Sequence, residues 1–228
     1  MVVIAVVIAF ASFLLLDWYW VRGRHRAPTG IRAVASPARL DDKAVTGPTD
    51  LMFHPGHAWA RTATGGLIAA GSDEFAVKFA GELAAIELPA VGSARRQGDP
   101  AWTLISTAGR RLGQVMPLEG EIVEVNRDLL EDPSLAGRAP YDRGWIVRIR
   151  PTHLASSTRN LLRGGLAKTW MDAVRATVTG RLGPIAHATA ADGGEWAEGF
   201  GDHLDDVTWK TLKRELFPSV DPETRQGA

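Results

Sequence analysis

Few side chains in these 228 residues are equipped for chemistry. The chain has no cysteine, which excludes thiolate nucleophiles, disulfides and cysteine-ligated metal centres. Its amines are five lysines: Lys43, Lys78, Lys168, Lys210 and Lys213. An amine can take up an acyl group in amide linkage. A guanidinium stays protonated and cannot, so the many arginines are no substitute. His54 and His57 form a His-x-x-His pair, a spacing that two metal ligands can use. No third ligand lies near them in the sequence, so a structural role is expected and no metal is. Glu119, Glu121 and Glu124 fall close together, and Glu119 and Glu121 would share a strand face by period two. As an acid–base pair they would need a pocket, and a solvated face is the simpler expectation. No glycine-rich phosphate loop, nucleophile elbow or zinc-protease helix motif occurs. No enzyme activity is therefore expected. A net charge of zero with 23% charged residues gives no footprint for nucleic acid.

The elements around these residues fall into four segments. Residues 1–21, "MVVIAVVIAFASFLLLDWYWV", carry no charge before Asp17 and reach about the 20 residues that a helix needs to cross the hydrocarbon core. Trp18, Tyr19 and Trp20 resemble an interfacial aromatic belt, and Arg22, Arg24 and Arg26 follow. An uncleaved single-pass transmembrane helix is expected, because a signal peptide would carry its basic residues ahead of the apolar run. The positive flank predicts a cell-membrane protein with its soluble part in the cytoplasm. Residues 22–47 are broken by Pro28, Gly30, Pro37 and Gly47 and read as a basic flexible linker, able to lie on anionic headgroups.

Residues 48–151 carry many short alternating runs and predict a small β barrel or sandwich. A hairpin is expected around Gly65-Gly66. A short helix is expected from "SDEFAVKFAGEL", with Ser72 as its N-cap. "AWTLIST" and "RLGQVMP" predict two strands joined by a tight turn, and "GEIVEVN" predicts a third. "NRDLLEDPSLAG" predicts a helix capped by Asn126, and "GWIVRIRP" a closing strand. Trp102, Trp145 and Trp170 are expected as core or interface anchors. The pairs Arg95-Arg96 and Arg110-Arg111 sit in turns and would form one basic patch if those turns are neighbours.

Residues 152–228 predict an α+β appendix. Leu162, Leu166, Trp170, Val174 and Val178 recur at i, i+4 spacing, with Gly164-Gly165 weakening the start of that helix. A hairpin is expected at Asp192-Gly193-Gly194. A final amphipathic helix has its acids early and its bases late, and a polar tail follows Phe217.

The middle segment resembles the glycine cleavage system H-protein family over about residues 53–151. The likeness is carried by "FHPGHAWAR", with His57 and Trp59, by "GLIAAGSDEFAVKFAGELAAIELPAVG", and by "MPLEGEIVEVNRDLLEDPSLAGRAPYDRGWIVRIRP". In the last of these Pro117, Gly120, Asn126, Pro133, Pro140, Tyr141, Gly144 and Trp145 fall where the family pattern wants them. The resemblance implies a mainly β, barrel-sandwich hybrid (lipoyl-like) fold. It also implies a carrier function resting on one lipoylated lysine at a hairpin tip. Counting back from Pro117 and Gly120, that position falls on Gly109, flanked by Arg110 and Arg111. The approach "LISTA" lacks the carboxylate that the family favours. A degenerate lipoyl site with no cofactor is therefore expected, and with it a binding, scaffold or accessory role alongside protein partners at a membrane. The rival expectation is a carrier in glycine cleavage or related one-carbon chemistry that uses Lys78 or Lys168. A periplasmic adaptor would share the architecture, but Leu104 to Gly120 leaves no room for its long helical hairpin.

Overall fold

The structure, a computed structural model, describes residues 50–182, 190–191, 195–197 and 199–217. The expected transmembrane helix (1–21), the linker (22–47) and the tail after Phe217 lie outside the described residues. Among the described residues no helix is long and apolar enough to cross a membrane.

Two antiparallel sheets make the frame. The first has six strands in the order β1-β2-β3-β9-β8-β5: β1 (Met52–His54), β2 (Ala58–Thr62), β3 (Ile68–Ser72), β5 (Ala94–Arg95), β8 (Gly120–Val125) and β9 (Val147–Pro151). The second has three in the order β4-β6-β7: β4 (Leu83–Glu87), β6 (Pro100–Ser106) and β7 (Arg111–Val115). Period-two alternation sends Ile68, Ile122, Val147 and Ile149 of the first sheet and Ile86, Trp102, Leu104 and Leu112 of the second into one buried cluster. The result is the mainly β, lipoyl-like sandwich that the resemblance implies. Close sheet geometry explains one glycine of the family pattern. A Cβ on Gly120 would stand 2.4 Å from the Arg150 carbonyl oxygen, so any side chain there would force β8 off β9.

The Gly65-Gly66 turn joins β2 to β3, with Thr62 opposite Ile68. The helix that follows, α1 (Glu74–Ala80), is capped by Asp73 rather than Ser72. Asp73 Oδ1 accepts the Ala76 N–H at 2.8 Å. Ser72 is held in β3 opposite Ala58, and its hydroxyl accepts the Trp102 indole N–H at 2.9 Å. The single helix expected after Asn126 is two short ones, α2 (Asp128–Glu131) and α3 (Leu135–Arg138), parted by Asp132, Pro133 and Ser134. Proline cannot donate into a continuing helix. Asn126 does more than cap. Its amide donates to the carbonyls of Arg143 and Trp145, tying the α2–α3 excursion back to β9, while its oxygen accepts the Asp128 N–H.

After β9 come α4 (Leu154–Ser157) and α5 (Gly164–Leu182). Gly164 and Gly165 are the first two residues of α5, so the helix begins at them and not ahead of them. Leu162 lies ahead of it, exchanging backbone hydrogen bonds with Phe53. The buried face of α5 is Val174, Val178 and Leu182, while Leu166 is 71% exposed. The stripe therefore runs one turn further toward the C-terminus than the sequence reading placed it. A two-stranded ribbon, β10 (Ala190–Ala191) with β11 (Glu195–Trp196), brackets the expected hairpin. A 3-10 turn (Phe200–His203) then leads to α6 (Asp206–Leu216), capped by Asp205. Phe200, Trp209, Leu212 and Phe217 join the same buried cluster as the two sheets. The change of secondary structure at residue 151 is thus no boundary in the core.

Candidate functional site

The turn between β6 and β7 is the natural place to look for chemistry. Thr107, Ala108 and Gly109 are exposed at its tip. Gly109 adopts φ +76°, a conformation that side chains disfavour, and its N–H bonds the Ser106 carbonyl at 2.9 Å. The Ser106 hydroxyl accepts the Arg110 N–H, which closes the turn from inside. No amine is present at the tip.

Arg110 turns away from solvent. Its guanidinium donates to the carbonyl of Gly201, to that of Leu204 at 2.6 Å and to the Asp206 carboxylate at 3.1 Å. It also lies over the Trp209 ring, 5.5 Å from the centroid, and its side chain is only 14% exposed. Around it, residues 200–217 are fitted closely to the frame. Asp202 accepts the Glu82 N–H at 2.7 Å, while the Glu82 carbonyl accepts the Thr107 N–H from the hairpin, also at 2.7 Å. The Trp209 indole donates to the Phe79 carbonyl at 3.1 Å. A Cβ on Gly201 would fall 1.9 Å from that same carbonyl oxygen, so only glycine lets the 3-10 turn lie on α1. Phe75 and Phe79, spaced i, i+4 on α1, are fully buried against Phe200 and Phe217, and Phe79 stacks on Trp209 with centroids 5.4 Å apart.

Arg111 takes the opposite course and pairs with Glu87 at the surface. With Arg110 and Arg111 each matched to a carboxylate on different elements, this pair does not build the joint basic patch envisaged with Arg95-Arg96. The two rival lysines also differ. Lys78 is largely covered, and its ammonium donates to Glu74 at 2.6 Å and to the Trp196 carbonyl at 2.7 Å. Lys168 is 80% exposed on α5 and pairs with Asp172 in the next turn. Lys78 lines a cleft of about 470 Å³ with Glu82, Arg138, Asp202 and His203, where cations and carboxylates are mixed.

His57 and Asp73 form a buried dyad, with Nδ1 and Oδ2 2.8 Å apart and neither side chain exposed. The other ring nitrogen, Nε2, has no hydrogen-bond partner among the described residues. Rings of Phe75, Trp170 and Phe217 stand 4.7–4.8 Å from the imidazole and leave a reacting group no approach. His57 therefore serves the fold. It holds the helix-capping carboxylate in place and adopts φ +63° in the turn between β1 and β2. His54 accepts the Gly56 N–H on Nδ1, and burial, with His57 nearby, holds its pKa below the ordinary imidazole range. Among the described residues no group of three or more acidic or histidine side chains is placed to hold a metal. Glu121 and Glu124 pair with Arg150 and Arg148 across β8–β9, each at 2.7 Å. Trp102 is buried, and Arg148 lies over Trp145. Trp59 and Tyr141 pack edge to face, and the Tyr141 hydroxyl accepts the Glu74 N–H at the start of α1.

The family model described as Glycine cleavage H-protein matches residues 51–173. The chain belongs to that family. It is 36% identical over 104 residues to the glycine cleavage system H protein of Alteromonas mediterranea, covering 45% of this chain and 79% of that protein. To the H protein of Streptomyces coelicolor it is 33% identical over 108 residues, covering 47% and 86%. A crystal structure of a glycine cleavage system H protein from Mycobacterium marinum is similar with 29% identity and a TM-score of 0.47, covering 54% of this chain and 94% of that one. The family match ends inside α5, so the residues that hold Arg110 lie beyond it. Sequence reading missed this contact. Its one signal was the i, i+4 pair Phe75 and Phe79 on a helix too short to need two large aromatics.

Proposed function

We propose that this H-protein domain carries no lipoyl group and works as a binding module. Its role would be that of a scaffold or accessory subunit of a membrane-associated complex, with no catalysis of its own. The observation that carries the reading is the hairpin tip. Gly109 stands at the position that the resemblance assigns to the lipoyl lysine, and Arg110 beside it is spent on the chain's own C-terminal residues. Amide formation needs an amine that can shed its proton, and an arginine held by two carbonyls and a carboxylate offers none. Lys78 is a poor alternative, because two of its three N–H groups are already donated. Lys168 is accessible but sits on a helix face, not on a hairpin.

The apolar run at residues 1–21 supports anchoring to the cell membrane, and the arginines after it support a cytoplasmic location for the folded part. Protein partners fit the family, whose named members belong to the glycine cleavage system.

Intact mass and peptide mapping of the chain purified from its own membranes test the proposal. An unmodified mass is expected. A lipoyl-sized increment on Lys78 or Lys168 would restore the carrier reading. For topology, a single cysteine introduced into the folded part should resist an impermeant maleimide in intact cells, and labelling there would overturn the cytoplasmic placement.

A further inference from the structure

Residues 200–217 are attached to the sandwich by side chains alone. The six-stranded and three-stranded sheets take no strand from them. Every polar link runs through a side chain: Arg110 to the Gly201 and Leu204 carbonyls and the Asp206 carboxylate, Asp202 to Glu82, Trp209 to Phe79, and Arg181 of α5 to Glu215 at the surface. The rest is apolar. Leu212 and Phe200 are fully buried, and Trp209 and Phe217 nearly so. A segment that shares no ladder with its support can separate from it without breaking a sheet, which is the structural condition for sub-global opening.

The face beneath is shaped for a helix. α1 supplies Phe75 and Phe79, and the hairpin shoulder supplies one fixed cation, Arg110. The segment lying on it is complementary. It brings an acidic helix start at Asp205 and Asp206, an aromatic anchor one turn later at Trp209, and a second at Phe217. This is the helix-in-groove mode of recognition, with a charge fixing the polarity of the helix.

We propose that α1 and the Arg110 shoulder form a docking face for an amphipathic helix with an acidic first turn and aromatic anchors. In this chain the face is filled by residues 200–217, which act as a strap that leaves as a unit once the Arg110 latch is released. The strap could stay fixed in a chain that is unlipoylated, and could open in one that is lipoylated, so this inference and the proposed function fail separately.

The cysteine-free chain makes the test direct. A full-length Leu212→Cys variant places the sole thiol on the strap's buried face, and a Leu104→Cys variant places it in β6. The strap thiol should react with a disulfide reagent faster than the β6 thiol and with little dependence on urea. Adding Arg110→Ala should speed the strap thiol at least ~10-fold, the loss of hydrogen bonds to a charged group, while the β6 thiol changes less. If Arg110→Ala does not fold, Gly201→Ala, which presses on the Phe79 carbonyl, should act the same way. Equal rates and equal urea dependence at the two thiols would overturn the strap. A labelled synthetic peptide of residues 200–217 should bind saturably to the full-length Trp209→Ala variant, whose own strap lacks its anchor. That binding should weaken ~10-fold or more when Arg110→Ala is added. No saturable binding to Trp209→Ala, or binding indifferent to Arg110, would overturn the docking face.

Discussion

The shoulder of the β6–β7 hairpin and the outer face of β8–β9 use the same chemistry to different ends. On β8–β9, Arg148 and Arg150 meet Glu124 and Glu121 directly across the strands. These pairs are half in water, where ion pairs contribute about 0–1 kcal/mol. At the shoulder, Arg110 has lost most of its water and replaced it with two carbonyls, a carboxylate and the face of a tryptophan. A cation so placed is costly to leave unpaired, so it fixes what must cover it. The sheet face tolerates change, while the shoulder dictates the path of residues more than ninety positions away.

The comparison can be broken from several sides. Phe79→Ala should have the largest effect, about 3–5 kcal/mol in urea unfolding, because the ring is fully buried among Phe75, Phe200, Trp209 and Phe217. Gly201→Ala should cost about 1–3 kcal/mol, since its Cβ meets backbone that cannot retreat. Tyr141→Phe should cost about 1 kcal/mol by leaving the Glu74 N–H without its acceptor. The phenol is pushed well above its ordinary pKa, chiefly by burial, so alkaline titration of this ring should be delayed relative to a free tyrosine. On the sheet face, Arg150→Ala should change stability by less than about 1 kcal/mol, and less still at high salt.

A pH dependence of modest size should come from His54. Burial lowers its folded pKa, so the folded state binds fewer protons than the unfolded one. Its contribution is present above the unfolded histidine value and declines as pH falls below it toward the folded pKa. His54→Gln should flatten that part of a stability–pH curve, and an unchanged slope would assign the acid sensitivity elsewhere.

Much of the sandwich was legible because half-buried strands write their own pattern. "GEIVEV" alternates, and it is β8. Local rules failed where a distant partner decided the outcome. Ser72 looks like an N-cap, but pairing with Ala58 draws it into β3, and the cap passes to Asp73. Leu166 keeps the i, i+4 rhythm yet faces water, because pairing of Leu162 with Phe53 delays the helix to Gly164. At the hairpin, the absence of an amine could be read from "TAGRR", but the fate of Arg110 could not. Nothing in the turn distinguishes the arginine that is captured from the one beside it that pairs at the surface.

That neighbouring pair supplies the most direct measurement. Arg110→Ala and Arg111→Ala should be compared in the full-length chain by urea unfolding under identical conditions. If the shoulder is an anchor for the C-terminal segment, Arg110→Ala costs about 2 kcal/mol or more and Arg111→Ala less than about 1. Equal, small losses at both positions would contradict the account and return Arg110 to the status of an ordinary surface arginine.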